Sequence, residues 1–239
     1  MKTYLGKLKI TFYGTRGLVD VKSKSHHNHT SILIESPKTK VLLDRGEENP
    51  EKRPFKKVDF ELCSHCHPDH ILKLRSFIAS EDTKRQARKY YPKLTFNIIR
   101  TFKSYVPFYL GDIKFLPIPV YHSLRCPMHA FIVKYDGFKV WIATDFLGFH
   151  KGDFKKYFKN IDLAIIDGSF IERTMIRKKG SKVFGHESIF RQIGRMQYQA
   201  KSFIITHLGT KAIKIGNKKL AQKIRKEFPT VKFEIANDE

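Results

Sequence analysis

A chain of 239 residues with 41% hydrophobic and 13% aromatic content is long enough to bury a sizeable core and too apolar to be disordered. Lys and Arg number 46 against 23 Asp and Glu, a net charge of +23, which suits a polyanionic partner. No apolar run approaches the roughly 18 residues that would span a membrane, and an odd count of three cysteines argues against a disulfide framework and for a reducing, cytoplasmic setting.

The opening "MKTYLGKLKITFYG" alternates polar and apolar residues and reads as strand, without the apolar block and cleavage site of a signal peptide. Strands are expected at 7–14, 30–36, 40–44 and 58–63, followed by a helix from Asp69 to about Ile78. "EDTKRQARKYYP" holds a second helix stopped by Pro92. Strands resume in "LTFNII", "DIKFLPI", "AFIVKY" and "FKVWIAT", with "YDG" as the tight turn between the last two. A short helix over 153–159 leads to the strand "LAIID". A helix over 186–199 precedes "SFIITH", and a basic helix over 216–227 precedes "VKFEI". No repeat, low-complexity tract or Gly/Ser linker interrupts the chain, so residues 1–239 are expected to form one domain. Two strand-rich blocks, each closed by helices, point to two packed sheets with helices outside.

Basic charge is concentrated. Arg173–Lys226 carries 15 basic residues against Glu187 alone, and Lys84–Lys103 carries seven and no acid. Clustered cations gain affinity for phosphates by releasing counterions, so nucleic acid is the favoured partner, although an anionic membrane surface would also attract them.

Six strand-like runs end in a potential ligand: "KVLL" at Asp44, "VDFELC" at "SHCHPDH" (64–70), "LPIPVY" at His122, "VWIAT" at Asp145, "LAII" at Asp167 and "SFIIT" at His207. Loops at strand ends are where a rigid scaffold places reactive groups. In an extended backbone His65 and His67 project to one side, while Pro68 ends the strand and places Asp69 and His70 at a helix start. Two ions about 3.5–4 Å apart need a set of this size. His65, His67 and His122 would serve one ion, Asp69, His70 and His207 the other, with Asp145 between them. Asp44 reads as an orienting carboxylate, since metal-bound imidazoles donate their other N–H to such groups. Cys63 and Cys66 form C-x-x-C, yet Cys66 lies among the ligands, and neither redox nor structural zinc chemistry is expected of the pair.

"SHCHPDH" matches the H-x-H-x-D-H signature of the metallo-β-lactamase fold superfamily. The order of later ligands, with "ITFYGTRG", "TSILIES…KVLLDRGE" and "GHESI…SFIITHLGT", resembles its phosphodiesterase branch, which includes transfer-RNA 3′-processing endonucleases and cyclic-phosphate phosphodiesterases. The resemblance implies an αββα sandwich, an α/β fold of two packed mixed sheets with helices outside. It also implies two Zn²⁺ ions, with Mn²⁺ or Fe²⁺ tolerated, and hydrolysis by a metal-activated water. Asp145 and Asp167 compete as the bridging carboxylate. Asp145 is favoured because it follows the "YDG" hairpin as the family pattern does, leaving Asp167 as a supporting or structural group. The chain departs from the transfer-RNA enzymes in having no long insertion that corresponds to their substrate-gripping arm.

The leading expectation is a zinc-dependent phosphodiesterase of nucleic acid, RNA favoured. Asp69 would be ligand and proton acceptor. His186, expected at a helix N-terminus whose dipole lowers its pKa, would be the general acid. Arg125, His29, Lys178 and Lys179 are candidate substrate contacts. His26 and His27 share the polar loop of His29. Rival readings are a small-molecule hydrolase of a cyclic phosphate, lactone or thioester, and a nucleic-acid-binding module with a vestigial site. The sequence leaves open whether the chain acts alone or as a homodimer.

Overall fold

The computed structural model describes residues 1–49 and 57–239. Strands in chain order are Lys2–Leu5 (β1), Leu8–Gly14 (β2), Ser31–Glu35 (β3), Lys40–Leu43 (β4), Phe60–Leu62 (β5), Ser76–Ser80 (β6), Asn97–Phe102 (β7), Phe108–Leu110 (β8), Ile113–Tyr121 (β9), Met128–Tyr135 (β10), Phe138–Ile142 (β11), Gly148–Phe149 (β12), Leu163–Asp167 (β13), Met175–Lys179 (β14), Lys182–His186 (β15), Phe203–Thr206 (β16) and Phe233–Ile235 (β17). The helices are Pro68–Ile71 (α1), Glu81–Tyr90 (α2), Asp153–Tyr157 (α3), Ile189–Met196 (α4) and Thr210–Glu227 (α5). One sheet runs β1-β2-β3-β4-β5-β6-β7, and a second runs β12-β9-β10-β11-β13-β16-β17 with β8 added beside β9. β14 and β15 form a separate two-stranded ribbon.

Side-chain alternation explains how the second sheet serves two cores. On β10, Phe131 and Val133 join Ile10, Phe12, Ile34 and Leu43 between the sheets, while Ala130 and Ile132 face the other way. β11, β13 and β16 repeat the pattern: Val140, Ile142, Ile165 and Ile204 point inward, and Trp141, Ile166, Phe203 and Ile205 meet Ile189, Ile193, Leu220 and Ile224 of α4 and α5. Ala87 of α2 packs with Phe77 and Ala79 on the far side of the first sheet. The expected two-sheet sandwich with outer helices is what the chain forms.

Two helix expectations fail locally. The helix after Pro68 lasts one turn, and Ile78 lies in β6, a strand held in parallel pairing to β5 and β7. Phe77 and Ile78 each have a core to enter on opposite sides of the sheet, and only an extended backbone can serve both. α5 begins six residues earlier than expected, at Thr210, with a bend at Gly216, whose φ of 76° lies outside the helical range. The position expected to open the helix is thus an internal kink of a longer one.

The topology brings the reactive strand ends to one edge. β4 and β5 are parallel, as are β11, β13 and β16. β10 is antiparallel to both β9 and β11, so β9 runs in the same direction as β11. The segments after β4, β5, β9, β11, β13 and β16 therefore gather at the rim of the sandwich.

Candidate metal centre

At that rim His65 Nε2 lies 2.9 Å from His67 Nδ1, and His122 Nε2 lies 3.1 Å from the same atom. A tetrahedral ion with bonds of about 2.0–2.1 Å separates its ligands by about 3.3 Å, so the three nitrogens are spaced as ligands of one ion. A second group is formed by Asp69, His70 and His207, with His70 Nε2 3.3 Å and His207 Nε2 3.9 Å from Asp69 Oδ2. Asp145 stands between the groups. Its Oδ2 is 2.8 Å from His70 Nε2 and 3.7 Å from His65 Nε2, and its Oδ1 is 3.2 Å from His207 Nε2 and 3.4 Å from His122 Nε2. Each carboxylate oxygen thus touches one imidazole of each group, as expected of a bridging ligand.

The outward nitrogens are pinned by partners that fix the tautomer. His122 Nδ1 donates to the Gly185 carbonyl at 3.2 Å, which leaves Nε2 with its lone pair toward the site. His70 Nδ1 donates to Asp44 Oδ2 at 2.8 Å. Ser64 Oγ donates to Asp44 Oδ2 at 2.7 Å and so accepts from His65 Nδ1 at 3.0 Å. Thr30 Oγ donates to the Arg16 carbonyl and accepts from His207 Nδ1 at 2.8 Å. Asp44 thus contacts both the outward nitrogen of His70 and the hydroxyl of Ser64. Ser64 and Thr30 were missed. Asp44 and His207 have φ of 61° and 55°, a conformation non-glycine residues adopt sparingly and which clusters at functional sites.

The electrostatics suit cations. Asp69 Oδ1 is buried without a hydrogen-bond partner among the described residues, a costly state unless an ion satisfies it, and His70 Nε2 and Asp145 Oδ2 are buried with only donor atoms of the same cluster around them. Burial lowers the pKa of His65 and His122 well below the ordinary value, leaving neutral imidazoles. Burial opposes charge on His70 and Asp69 too, but each stabilises the other's charged form, so His70 is raised and Asp69 lowered. Protons there do what divalent ions do better, and binding would release them. The donor set is all imidazole and carboxylate, which fits zinc, manganese or iron.

A cavity of about 960 Å³ opens on this centre. His67, Asp69, His122, Asp145, His186 and His207 form its floor, Leu18, Val19, Phe170 and Ile171 its apolar walls, and Arg173, Lys211 and Lys214 its cations. Asp167 lies outside the donor groups. Its Oδ2 accepts from His186 Nδ1 at 2.7 Å and from the Phe146 N–H at 3.0 Å, so it supports His186 and the backbone just past Asp145.

Other expectations are corrected. His186 ends β15 rather than sitting in a helix, and its pKa moves the opposite way from the expected helix-dipole effect. Burial disfavours its charge, yet the Asp167 carboxylate outweighs this and raises it to about 9. Arg125 is exposed and does not line the cavity. His29 is 2% exposed and also off the cavity, and burial lowers its pKa to about 4. It packs under the loop at Glu48 instead of meeting substrate. His26 is held by Thr15 and Asn217. Cys66 turns from the donors to Cys126, with 2.6 Å between sulfurs. Lys178 and Lys179 lie on the ribbon, beyond the cavity.

Residues 39–208, most of the chain, match the family model of the beta-lactamase superfamily domain. The chain belongs to the beta-lactamase superfamily. No curated protein matches it in sequence. Among solved structures it is similar to a diphosphatase from the PhnP family (TM-score 0.73, 16% identity, 97% of this chain and 95% of that one). It is also similar to the metallo-β-lactamase fold protein YhfI from Bacillus subtilis (TM-score 0.71, 18% identity, 97% of each chain). Human tRNase Z, short form, matches with TM-score 0.58 and 16% identity over 84% of this chain and 93% of that one. The two packed mixed sheets are thus the metallo-β-lactamase sandwich. With its His/Asp donor groups on that sandwich, this member of the superfamily is a metal-dependent hydrolase.

Proposed function

We propose that the chain is a zinc-dependent phosphodiesterase acting on nucleic acid, with RNA as the favoured substrate. The observation that carries this reading is the cavity itself. Its floor is the His/Asp donor set with His186 beside it, and Arg173, Lys211 and Lys214 line it, so a phosphate bridging two organic groups meets positive charge on entry. The similarity in fold to human tRNase Z and to a PhnP-family diphosphatase supports phosphoester chemistry.

Two ions held by His65, His67 and His122, and by Asp69, His70 and His207, with Asp145 shared, would supply an acidified water and a positive field for the phosphoryl oxygens. The chain's own residues do the rest. Asp69 Oδ1, buried and unpartnered among the described residues, is the free acceptor for a proton. His186 is tied through Nδ1 to Asp167, so its Nε2–H is the atom left to protonate a departing ribose oxygen. Phe170 and Ile171 exclude bulk water from the cavity wall.

The test is differential. Zinc-loaded wild type is expected to cleave labelled RNA and bis(p-nitrophenyl) phosphate. His186→Ala should slow RNA cleavage by about 10²–10⁴-fold, the usual worth of acid catalysis, and barely slow the p-nitrophenyl diester, whose leaving group departs unaided. Equal slowing of both would make His186 a ligand or structural residue. The apolar walls also favour a second reading, hydrolysis of a small cyclic phosphate or thioester. Such a substrate would show little of the steep salt dependence of a polyanion.

A further inference from the structure

We infer that one face of the β14–β15 ribbon is a track that carries a single-stranded nucleic acid into the cavity. The inference rests on the phosphodiesterase reading above. The ribbon pairs Met175 with His186, Ile176 with Gly185, Arg177 with Phe184, Lys178 with Val183 and Lys179 with Lys182. Directly opposed residues share a face, and faces alternate along a strand. Met175 and His186 line the cavity, so the face they define continues outward through Arg177 and Phe184 to Lys179 and Lys182. The opposite face carries Ile176, Gly185, Lys178 and Val183. The two lysines singled out together in the sequence therefore point to opposite sides.

Same-face pairs repeat every two residues, about 6.8 Å, comparable to the separation of neighbouring phosphates in an extended strand. The middle pair joins a guanidinium to an aromatic ring, the combination on which a base stacks beside its phosphate. The outer pair is two ammonium groups. Arg177, Lys179 and Lys182 are exposed, and none has an acidic partner among the described residues. The base of the ribbon is fixed to the metal centre, because the Gly185 N–H donates to the His122 carbonyl at 2.7 Å and its own carbonyl accepts from the His122 ring. The track is thus in register with the candidate ligands. A duplex would present paired bases that Phe184 could not stack on and would not enter the walled cavity, so one strand is the occupant.

The experiment measures binding of a short fluorescent oligouridylate by anisotropy at about 50 and about 200 mM salt. Metal content serves as the check that each variant keeps its site. Lys179→Gln with Lys182→Gln should weaken binding at least about tenfold at low salt and lower the salt slope by about 1.4, the loss of two phosphate contacts on a single strand. Phe184→Ala should weaken binding by about 5- to 100-fold and leave the slope unchanged. Phe184→Leu, which keeps the apolar bulk without the aromatic face, should do likewise. Lys178→Gln should stay within about twofold of wild type, since an exposed charge on the far face acts only through screened solvent. Lys178→Gln as damaging as the paired Lys179→Gln and Lys182→Gln change, or Phe184 variants that bind normally, would overturn the track. So would wild type binding phosphatidylserine vesicles with the same variant pattern and oligouridylate with none. Wild type that hydrolyses bis(p-nitrophenyl) phosphate but does not bind oligouridylate would defeat the track and leave the phosphodiesterase reading standing. Binding with the expected variant pattern, but without hydrolysis of either substrate, would support the track and defeat that reading.

Discussion

The hydroxyl of Thr30 decides which nitrogen of His207 faces the centre. It has one proton and gives it to the Arg16 carbonyl, so it can only accept from His207 Nδ1. Thr30→Val removes that acceptor and frees the ring to flip or change tautomer. We expect apparent affinity for the second ion to fall by about 10–100-fold, the usual worth of such a partner, with Thr30→Ser close to wild type. Competition against a chromophoric chelator measures it, and unchanged affinity in Thr30→Val would show that packing alone holds the ring. Asp145→Ala should cost at least one of about two ions per chain, read by elemental analysis. The donors themselves were legible because "SHCHPDH" is local and the others each end a strand-like run. Thr30 and Ser64 were not, since a hydroxyl's role depends on which distant segment it meets, and Thr30, just before β3, meets His207 across 177 positions of sequence.

Among the elements, sequence reading passed over the short strands β8 and β12 and, with more consequence, the β14–β15 ribbon. "MIRKKGSKVFGH" lacks clean alternation of apolar and polar residues, since both of its faces are exposed toward the tip, and the periodicity rule needs a buried face to register. β6 was misread for the opposite reason, because both its faces are buried and an unbroken apolar run suits helix or strand. Gly185 is where the ribbon meets the site. Its φ is 140°, and a Cβ there would lie 1.9 Å from the Met175 carbonyl oxygen, backbone that cannot move without breaking the strand pair. Gly185→Ala should therefore destabilise the fold by about 1–3 kcal/mol and loosen the ring of His122. We expect a lower Tm together with weaker binding of the ion shared by His65, His67 and His122. A lower Tm with full metal affinity would separate the ribbon from the centre.

At the scale of the whole molecule, burial of neutral histidines links stability to pH apart from the metal centre. His129 is 2% exposed, contacts Ser104 Oγ through Nε2 at 2.8 Å and has Nδ1 unpartnered among the described residues. Burial lowers its pKa, like that of His29, from 6.5 to about 4. Unfolded chains therefore bind more protons than folded ones between those values, and stability must fall as pH drops through that window and be fully present above it. Among the candidate ligands His65, His122 and Asp69 are shifted downward and give the same sign, while His70 and His207 are shifted upward and oppose it, so the slope of wild type alone does not isolate His129. A difference does. His129→Gln has no titrating ring, retains a polar partner for Ser104 and lies outside the donor groups. At saturating zinc, urea unfolding should show wild type losing stability more steeply than the variant as pH falls. The two slopes should differ by about one proton, and the stabilities should converge toward the acid end. Parallel slopes would mean that His129 takes up its proton inside the folded protein, with room beside Phe102 for the charge.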